Sequence, residues 1–333
     1  STRRSIDSGF MTTASGDHAP LAAANVYLTP EATIDPGPPR WFAPEQTSTF
    51  AVMLGSGKPE PTPFRNGPSG AIVVDQTPFL IDAGEGVWRS IAKAAMSHDA
   101  RLATALEPNR LTRVFLTHLH SDHCIGLPNL MFLPWTCGKE RPLEVYGPVG
   151  TRNLVEGLLQ AYEGDVVERV YGPEKKEDQG WRTTAHEIES PGIAFSDSSV
   201  EIEAFLRPHG GFAQNFGYKI RSADRTVVWA GDGVGGASFS EAAAGADLLF
   251  SDVCDGGDTS AVTPWRAEAE GHSQRFHIDS RHLGRLAENA GVGTVVIHHE
   301  QNYSDPFDPG ALVRQVEETY SGRVISARDA DVF

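Results

Sequence analysis

The chain has 333 residues, 40% of them hydrophobic and 22% charged, a composition that supports one large α/β domain or two smaller ones with ample core. With 28 Lys and Arg against 44 Asp and Glu the formal net charge is −16. So acidic a chain repels phosphate backbones and argues against nucleic acid as a partner, the more so because the linear sequence shows no basic patch beyond "EKK" at 174–176, which acids flank.

Residues 1–48 are rich in Ala, Thr and Pro and carry no sustained periodicity, so an extended N-terminal arm is expected there. The start at Ser1 rather than Met leads us to expect a removed preceding segment of unspecified kind, and leaves the compartment open. The domain is expected over 49–333. "TFAVMLGSG", "AIVVD" and "PFLIDAGEG" read as strands. "VWRSIAKAAMS" places Val87, Trp88, Ile91 and Ala95 at helical spacing. "RVFLTH" and "LEVYGP" are short strands. "TRNLVEGLLQAYEGD" predicts one helix with Leu154, Leu158, Leu159 and Tyr162 on a single face.

"GPEKKEDQGWRTT" is a charged loop. "SVEIEAFLRPH" alternates as a strand and ends at His209. "GYKIRSADRTVVWAGDG" predicts a hairpin whose second strand stops just before Asp232, and "ADLLFSD" a buried strand. Residues 255–276 show no element, which in a domain this size points to function. "SRHLGRLAENAG" is a helix with a glycine stop, and "GTVVIHHE" a strand that reaches His298 and His299. Cys124, Cys137 and Cys254 are too few and too irregular for a disulfide framework. No apolar run is long enough to insert into a membrane.

Apolar strands repeatedly end just before a His or an Asp: Ile81 before Asp82, Leu116 before His118, Trp229 before Asp232, Ile297 before the pair His298 and His299. Strand ends in a sheet protein converge on one rim, so distant segments deliver polar groups to one place. The densest delivery is "HLHSDH", which holds His118, His120, Asp122 and His123. Crowded imidazoles beside a carboxylate repel one another if protonated and compete for partners if neutral. A divalent cation satisfies all of them. His118 and His120, two apart, point the same way, whereas Asp122 and His123 face another. That suits two adjacent cations. A cation lowers the pKa of bound water to ~7 and so supplies a nucleophile without serine or cysteine.

"HLHSDH" resembles the H-x-H-x-D-H signature of the metallo-β-lactamase superfamily. "VMLGSGKPEPTPFRNGPSGAIVV" and "FLIDAGEG" resemble the opening strands of its ribonuclease Z and arylsulfatase-like branch, and "RPHGGFAQNFGYKI", "VVWAGDG" and "FHIDSRHLGRLAENAGVGTVVIHH" resemble that branch's later His and Asp motifs, helix segment and final His. The resemblance implies an α/β fold, the four-layer αββα sandwich. It implies that His118, His120 and His209 hold one metal, that Asp122, His123 and His299 hold a second, and that Asp232 bridges them. His298 is the alternative to His299. Asp82 would orient a ligand imidazole. Asp122 and His277 are the catalytic candidates, His277 as proton donor or oxyanion stabiliser. Asp279 stands where the branch has Ser or Thr, and so close to His277 it could hold that ring protonated or turn it aside.

The expected activity is a dinuclear, metal-dependent hydrolase acting by metal-bound hydroxide on a small ester-like substrate: a sulfate ester, phosphodiester, lactone or lactam. Zinc is the first expectation for the two ions, with manganese or iron as alternatives. One alternative activity is a ribonuclease Z-like endonuclease for tRNA 3′ ends. Family enzymes of that kind carry an RNA-gripping arm between the His209 and Asp232 motifs, and here that span has room for a hairpin only. Another is a mononuclear iron oxygenase on the same fold. The expected partner is a small molecule, with a homodimer left open. Specificity is expected from loops 134–142 and 255–276. "GDGVGG" and "GSGKP" fail as nucleotide-binding motifs, the first for want of a clear following helix and acid, the second because Pro59 replaces the Ser or Thr.

Overall fold

The structure is a computed structural model and describes residues 34–97, 99–256, 271, 273–304 and 307–333. Most of the arm expected over 1–48 lies outside that set. Its last residues are attached to the domain: Trp41 bridges to Val332, and Phe42 stacks on Phe333 with ring centroids 5.2 Å apart.

The apolar runs form two sheets. In the first, β1 (Thr49–Gly55), β2 (Ser69–Val74) and β3 (Thr77–Ile81) pair antiparallel, and β4 (Arg113–Phe115), β5 (Leu143–Pro148) and β6 (Thr183–Ile188) continue from β3 in parallel. The second holds β7 (Gly192–Ser196), β8 (Val200–Leu206), β9 (Phe216–Ser222), β10 (Thr226–Trp229), β11 (Leu248–Cys254), β12 (Thr294–Gln301) and β13 (Arg323–Ser326), in chain order across the sheet. It is antiparallel up to β10 and parallel beyond.

Parallel neighbours need crossovers, and helices supply them. On the first sheet these are α1 (Val87–Ser97), α2 (Ala100–Ala105), the single turn α3 (Ser121–Cys124), α4 (Leu127–Thr136), α5 (Thr151–Ala161) and α6 (Glu163–Tyr171). On the second they are α7 (Ala237–Ala243), α8 (Ser280–Ala290) and α9 (Ala311–Glu317). Helix, sheet, sheet and helix therefore stack in four layers, as the resemblance implied.

Both faces of the sheets are covered, so the central strands read as unbroken apolar runs rather than alternating ones. Every residue of β1 is buried: Ala51 and Met53 point between the sheets, Phe50, Val52 and Leu54 toward the helices. Trp229 is the largest side chain between the sheets. It stacks on Phe250 at 4.5 Å and lies over Gly70, where a Cβ would come within 2.1 Å of the indole. Glycine at 70 is required by that close approach.

Local departures have physical causes. The helix expected over "TRNLVEGLLQAYEGD" breaks at Tyr162 (φ −102°, ψ 10°) and restarts with Glu163 and Asp165 in its first turn, where carboxylates favour a helix N-terminus. Val155 and Val166 are buried, Leu154, Leu158 and Leu159 are half-buried, and Tyr162 is exposed. Residues 134–136 belong to α4 rather than to a loop. Of the stretch expected to lack structure, 257–270 and 272 lie outside the described residues, and 273–276 are helical.

Candidate metal centre

The expected convergence of strand ends occurs. Asp82 follows β3 and His118 follows β4, with His120, Asp122 and His123 in the next turn. From the second sheet come His209 after β8, Asp232 after β10 and His299 at the end of β12. Asp82 and His299 have φ of 57° and 48°, left-handed values that swing each side chain off its strand. His299 also sits in a bulge: Ser251 pairs with Ile297 and Val253 with Glu300, so two residues of β12 oppose one of β11. The bulge parts the adjacent histidines. His298 turns toward Trp229, buried, and burial pulls its pKa down to about 3. His299 lines the open cleft.

Three imidazoles meet at one point. His118 Nε2 lies 2.9 Å from His120 Nδ1, and His209 Nε2 lies 3.2 Å from the same atom. The outer nitrogens fix the tautomers. His209 Nδ1 faces the carbonyl of Phe276 at 2.8 Å, so it carries the proton. Thr117 Oγ1 donates to Asp82 at 2.9 Å, so at 2.9 Å it accepts from His118 Nδ1. Both Nε2 atoms are thus lone pairs, and one proton on His120 can satisfy only one of them. A cation satisfies all three. Burial lowers the pKa of each ring, most strongly for His118, and keeps them neutral as ligands must be.

The second group is richer in carboxylate. His123 Nδ1 donates to Asp82 Oδ2 at 2.8 Å, which points Nε2 as a lone pair at Asp232 Oδ2 (3.3 Å) and Asp122 Oδ2 (3.5 Å). His299 Nε2 lies 3.3 Å from both of those carboxylate oxygens. His123 Nε2 and Asp232 Oδ1 are buried and make no hydrogen bond. Burial alone would depress His123, yet Asp232 and Asp82 raise its pKa well above the usual imidazole value. The surroundings call for positive charge. Asp232 stands within ligand range of His118 and His123, and also of His277 and His299, so it reaches both groups. The residues therefore fit divalent metal, and the expected role of Asp82 matches its contacts.

His277 is placed by residues the sequence reading passed over. Its Nδ1 donates to Asp252 Oδ2 at 2.7 Å, and Asp252 Oδ1 pairs with the fully buried Arg207 at 2.6 Å. Arg207 also donates to the carbonyls of Gly231 and Gly233 on either side of Asp232. Asp279, the expected influence on His277, does something else: it caps α8 by accepting from the backbone N–H of His282 at 2.9 Å. The signal for Asp252 was available, since it lies near the end of β11 as the ligands lie at the ends of theirs. The cleft is lined by His120, Asp122, His209, Asp232, His277 and His299, with Glu60 and Tyr303 at its edges. Residues 134–142, expected to set specificity, do not line it.

A fold that brings imidazoles and carboxylates from two sheets to one rim defines a class of metal-binding enzymes, and its relatives make this one a metal-dependent hydrolase. The family model described as "Beta-lactamase superfamily domain" matches residues 77–299. A ribonuclease Z of Mycobacterium sp. (strain KMS) is 31% identical over 262 residues, covering 78% of this chain and 85% of that protein. One of Mycobacterium bovis (strain BCG / Pasteur 1173P2) is 31% identical over 266 residues, with 78% and 87% covered. The chain belongs to the beta-lactamase superfamily. Two solved structures share the fold: the metallo-beta-lactamase fold protein YhfI from Bacillus subtilis (TM-score 0.62, 19% identity, 86% of this chain and 98% of that) and human tRNase Z, short form (0.61, 20%, 85% and 98%).

These relatives correct one expectation. A small-molecule substrate with nucleic acid set aside conflicts with relatives named ribonuclease Z and tRNase Z. The physical reason is that net charge is a sum over the whole surface and conceals how charge is distributed. Folding adds the distant Arg40 and Arg65 to Arg314, Arg323 and Arg328 near the end of the sequence and gathers all five into one cleft. The linear sequence shows the last three spaced among acidic and neutral residues, and not the cleft they form.

Proposed function

We propose that the chain hydrolyses phosphodiester bonds in RNA, with precursor tRNAs bearing 3′ extensions as the substrate class, using two divalent ions, zinc in the first instance. The observation that carries this reading is the 31% identity along 85% of a ribonuclease Z. In this scheme His118, His120 and His209 would hold one ion and Asp122, His123 and His299 the other, with Asp232 within reach of both groups. Bound there, the ions would supply an activated water and charge for the phosphate oxygens.

The chain's own residues do the rest. Asp82 fixes the tautomers of His123 and, through Thr117, of His118. Asp122, a half-buried carboxylate at the cleft floor, orients the attacking water and takes its proton. Asp252 holds His277 by Nδ1, which turns Nε2 toward the departing oxygen; the imidazolium form of the ring gives that oxygen the Nε2 proton and is left neutral.

The test is protein reconstituted with zinc or manganese, a precursor tRNA with a 3′ trailer, and a chelator control. A single metal-dependent cut near the trailer junction is expected, with two metals per chain by elemental analysis. Turnover of a chromogenic phosphodiester with the RNA left intact at low salt would overturn the RNA reading and leave the hydrolase assignment standing.

A further inference from the structure

The acidity of the chain is unevenly spread. Beside the metal rim, across the end of β12, lies a cleft of about 620 Å³, within the usual range of ligand sites. Alternation along the chain separates the two clefts. His299, Gln301 and Tyr303 line the metal cleft, whereas Glu300 and Asn302 line the other. Five guanidiniums line this second cleft, against the carboxylates of Asp35 and Glu300 in the lining and of Asp308 and Asp331 paired to Arg314 and Arg40. In a chain with 28 basic and 44 acidic residues, even that small positive excess inverts the overall balance.

Three of the arginines have carboxylate partners. Arg40 is locked onto Asp331 at 2.5 Å, Arg65 reaches Glu300 at 3.4 Å, and Arg314 pairs with Asp308. The other two form no ion pair with a carboxylate among the described residues. The exposed Arg323, on β13, lays its guanidinium over the Phe42 ring at 4.8 Å, and the half-buried Arg328 donates to the carbonyl of Pro38 at 3.4 Å. Burial and the nearby charge of Arg40 lower the pKa of Arg328, opposed by Asp331. Like charges crowded this way are unfavourable alone and favourable around an anion. Arginine's planar fork also suits phosphate oxygens bidentately and stacks on bases, which lysine does less well.

We propose that the arginine cleft binds RNA phosphates and docks the substrate beside the metal rim, with Arg323 and Arg328 as the principal contacts. The proposal rests on the RNA reading above. It gives that reading what the hairpin between His209 and Asp232 does not provide, a cationic surface next to the cut. An RNA strand leaving the cleft passes the end of β12, and so reaches His299.

The experiment uses the full metal-loaded chain, with Arg323→Gln and Arg328→Gln made singly and together. Neither residue touches the metal rim, so turnover of bis(p-nitrophenyl) phosphate should not change. The double variant should raise the KM for precursor tRNA by ~10-fold or more, and flatten the slope of log affinity against log salt by ~1.4–1.8, two phosphate contacts' worth. The pair Arg323→Lys and Arg328→Lys should restore the salt slope but not the full affinity, and it controls for any folding defect in the neutral pair. RNA affinity and salt slope equal to wild type in the double Gln variant would overturn the proposal, even if RNA is cut. If wild type binds RNA through these arginines without cutting it, the docking site stands and the cleavage reading falls. Tight binding of 5′-AMP that RNA does not displace would overturn the proposal in favour of a free-nucleotide site.

Discussion

Lys139 offers a sharp test of how burial acts in this fold. It follows α4 and is fully buried, with Nζ 3.4 Å from the carbonyl of Gly180. Burial, partly offset by Glu177, pulls its pKa from 10.5 to about 7. The sign follows from linkage. Between the two pKa values the unfolded chain carries a proton that the folded chain lacks, so this residue makes stability rise with pH from about 7 upward. Below that range both states are protonated and the fold bears the whole cost of the buried charge. At ~1.4 kcal/mol per unit the cost is ~5 kcal/mol, and ~2 kcal/mol remains at about pH 9. Lys139→Met keeps the chain's bulk and removes the proton. Urea unfolding of both metal-loaded proteins from about pH 6 to 9 should show the variant more stable by ~4–5 kcal/mol at the acid end, with the gap narrowing to ~2 kcal/mol. A gap that stays constant with pH, or a wild type that is the more stable at pH 6, would refute the argument, since every other titrating group is common to both proteins.

His277→Ala should retain metal by elemental analysis yet slow turnover by ~10²–10⁴, the worth of a positioned proton donor, and the loss should shrink for nitrophenolate leaving groups, which need no proton. Asp252→Asn should reproduce part of that loss and shift the basic limb of the rate profile, whereas an unchanged pH profile would show that Asp252 only packs. His120→Ala should lose metal and all activity together, and a metal content equal to wild type would count against its place in the triad. Gly70→Ala should lower stability by ~1–3 kcal/mol through overpacking against Trp229, read as a drop in the thermal midpoint, and no change would mean the inter-sheet core gives way more easily than its contacts indicate.

The rim was legible because its information is local. An apolar run of a few residues that stops at His118, Asp232 or His299 states both the strand and the group at its end. The bulge at His298 and His299 was not legible, since it is defined only by the pairing with β11, which is why the sequence leaves the pair open. Asp252 was passed over for a similar reason: "LLFSDVC" reads as an ordinary buried strand, and its carboxylate gains meaning only from Arg207 and His277, both far away in sequence. Asp279 misled by nearness along the chain, where capping α8 was its actual work. The arginine cleft is the extreme case, since Arg40 and Arg65 join the three arginines of residues 314–328 only through the fold.

The proposed metal ligands come from both halves of the sandwich. His118, His120, Asp122 and His123 follow the first sheet, and His209, Asp232 and His299 end strands of the second. An ion held between them would be a clasp across the seam, and its binding free energy would also hold the sheets together. Withdrawing metal should then open the seam at this end, raising amide exchange there and exposing the chain to proteases. Metal supply would set the lifetime of the molecule in a cell as well as its turnover, and starved protein would be cleared rather than stored for later reactivation.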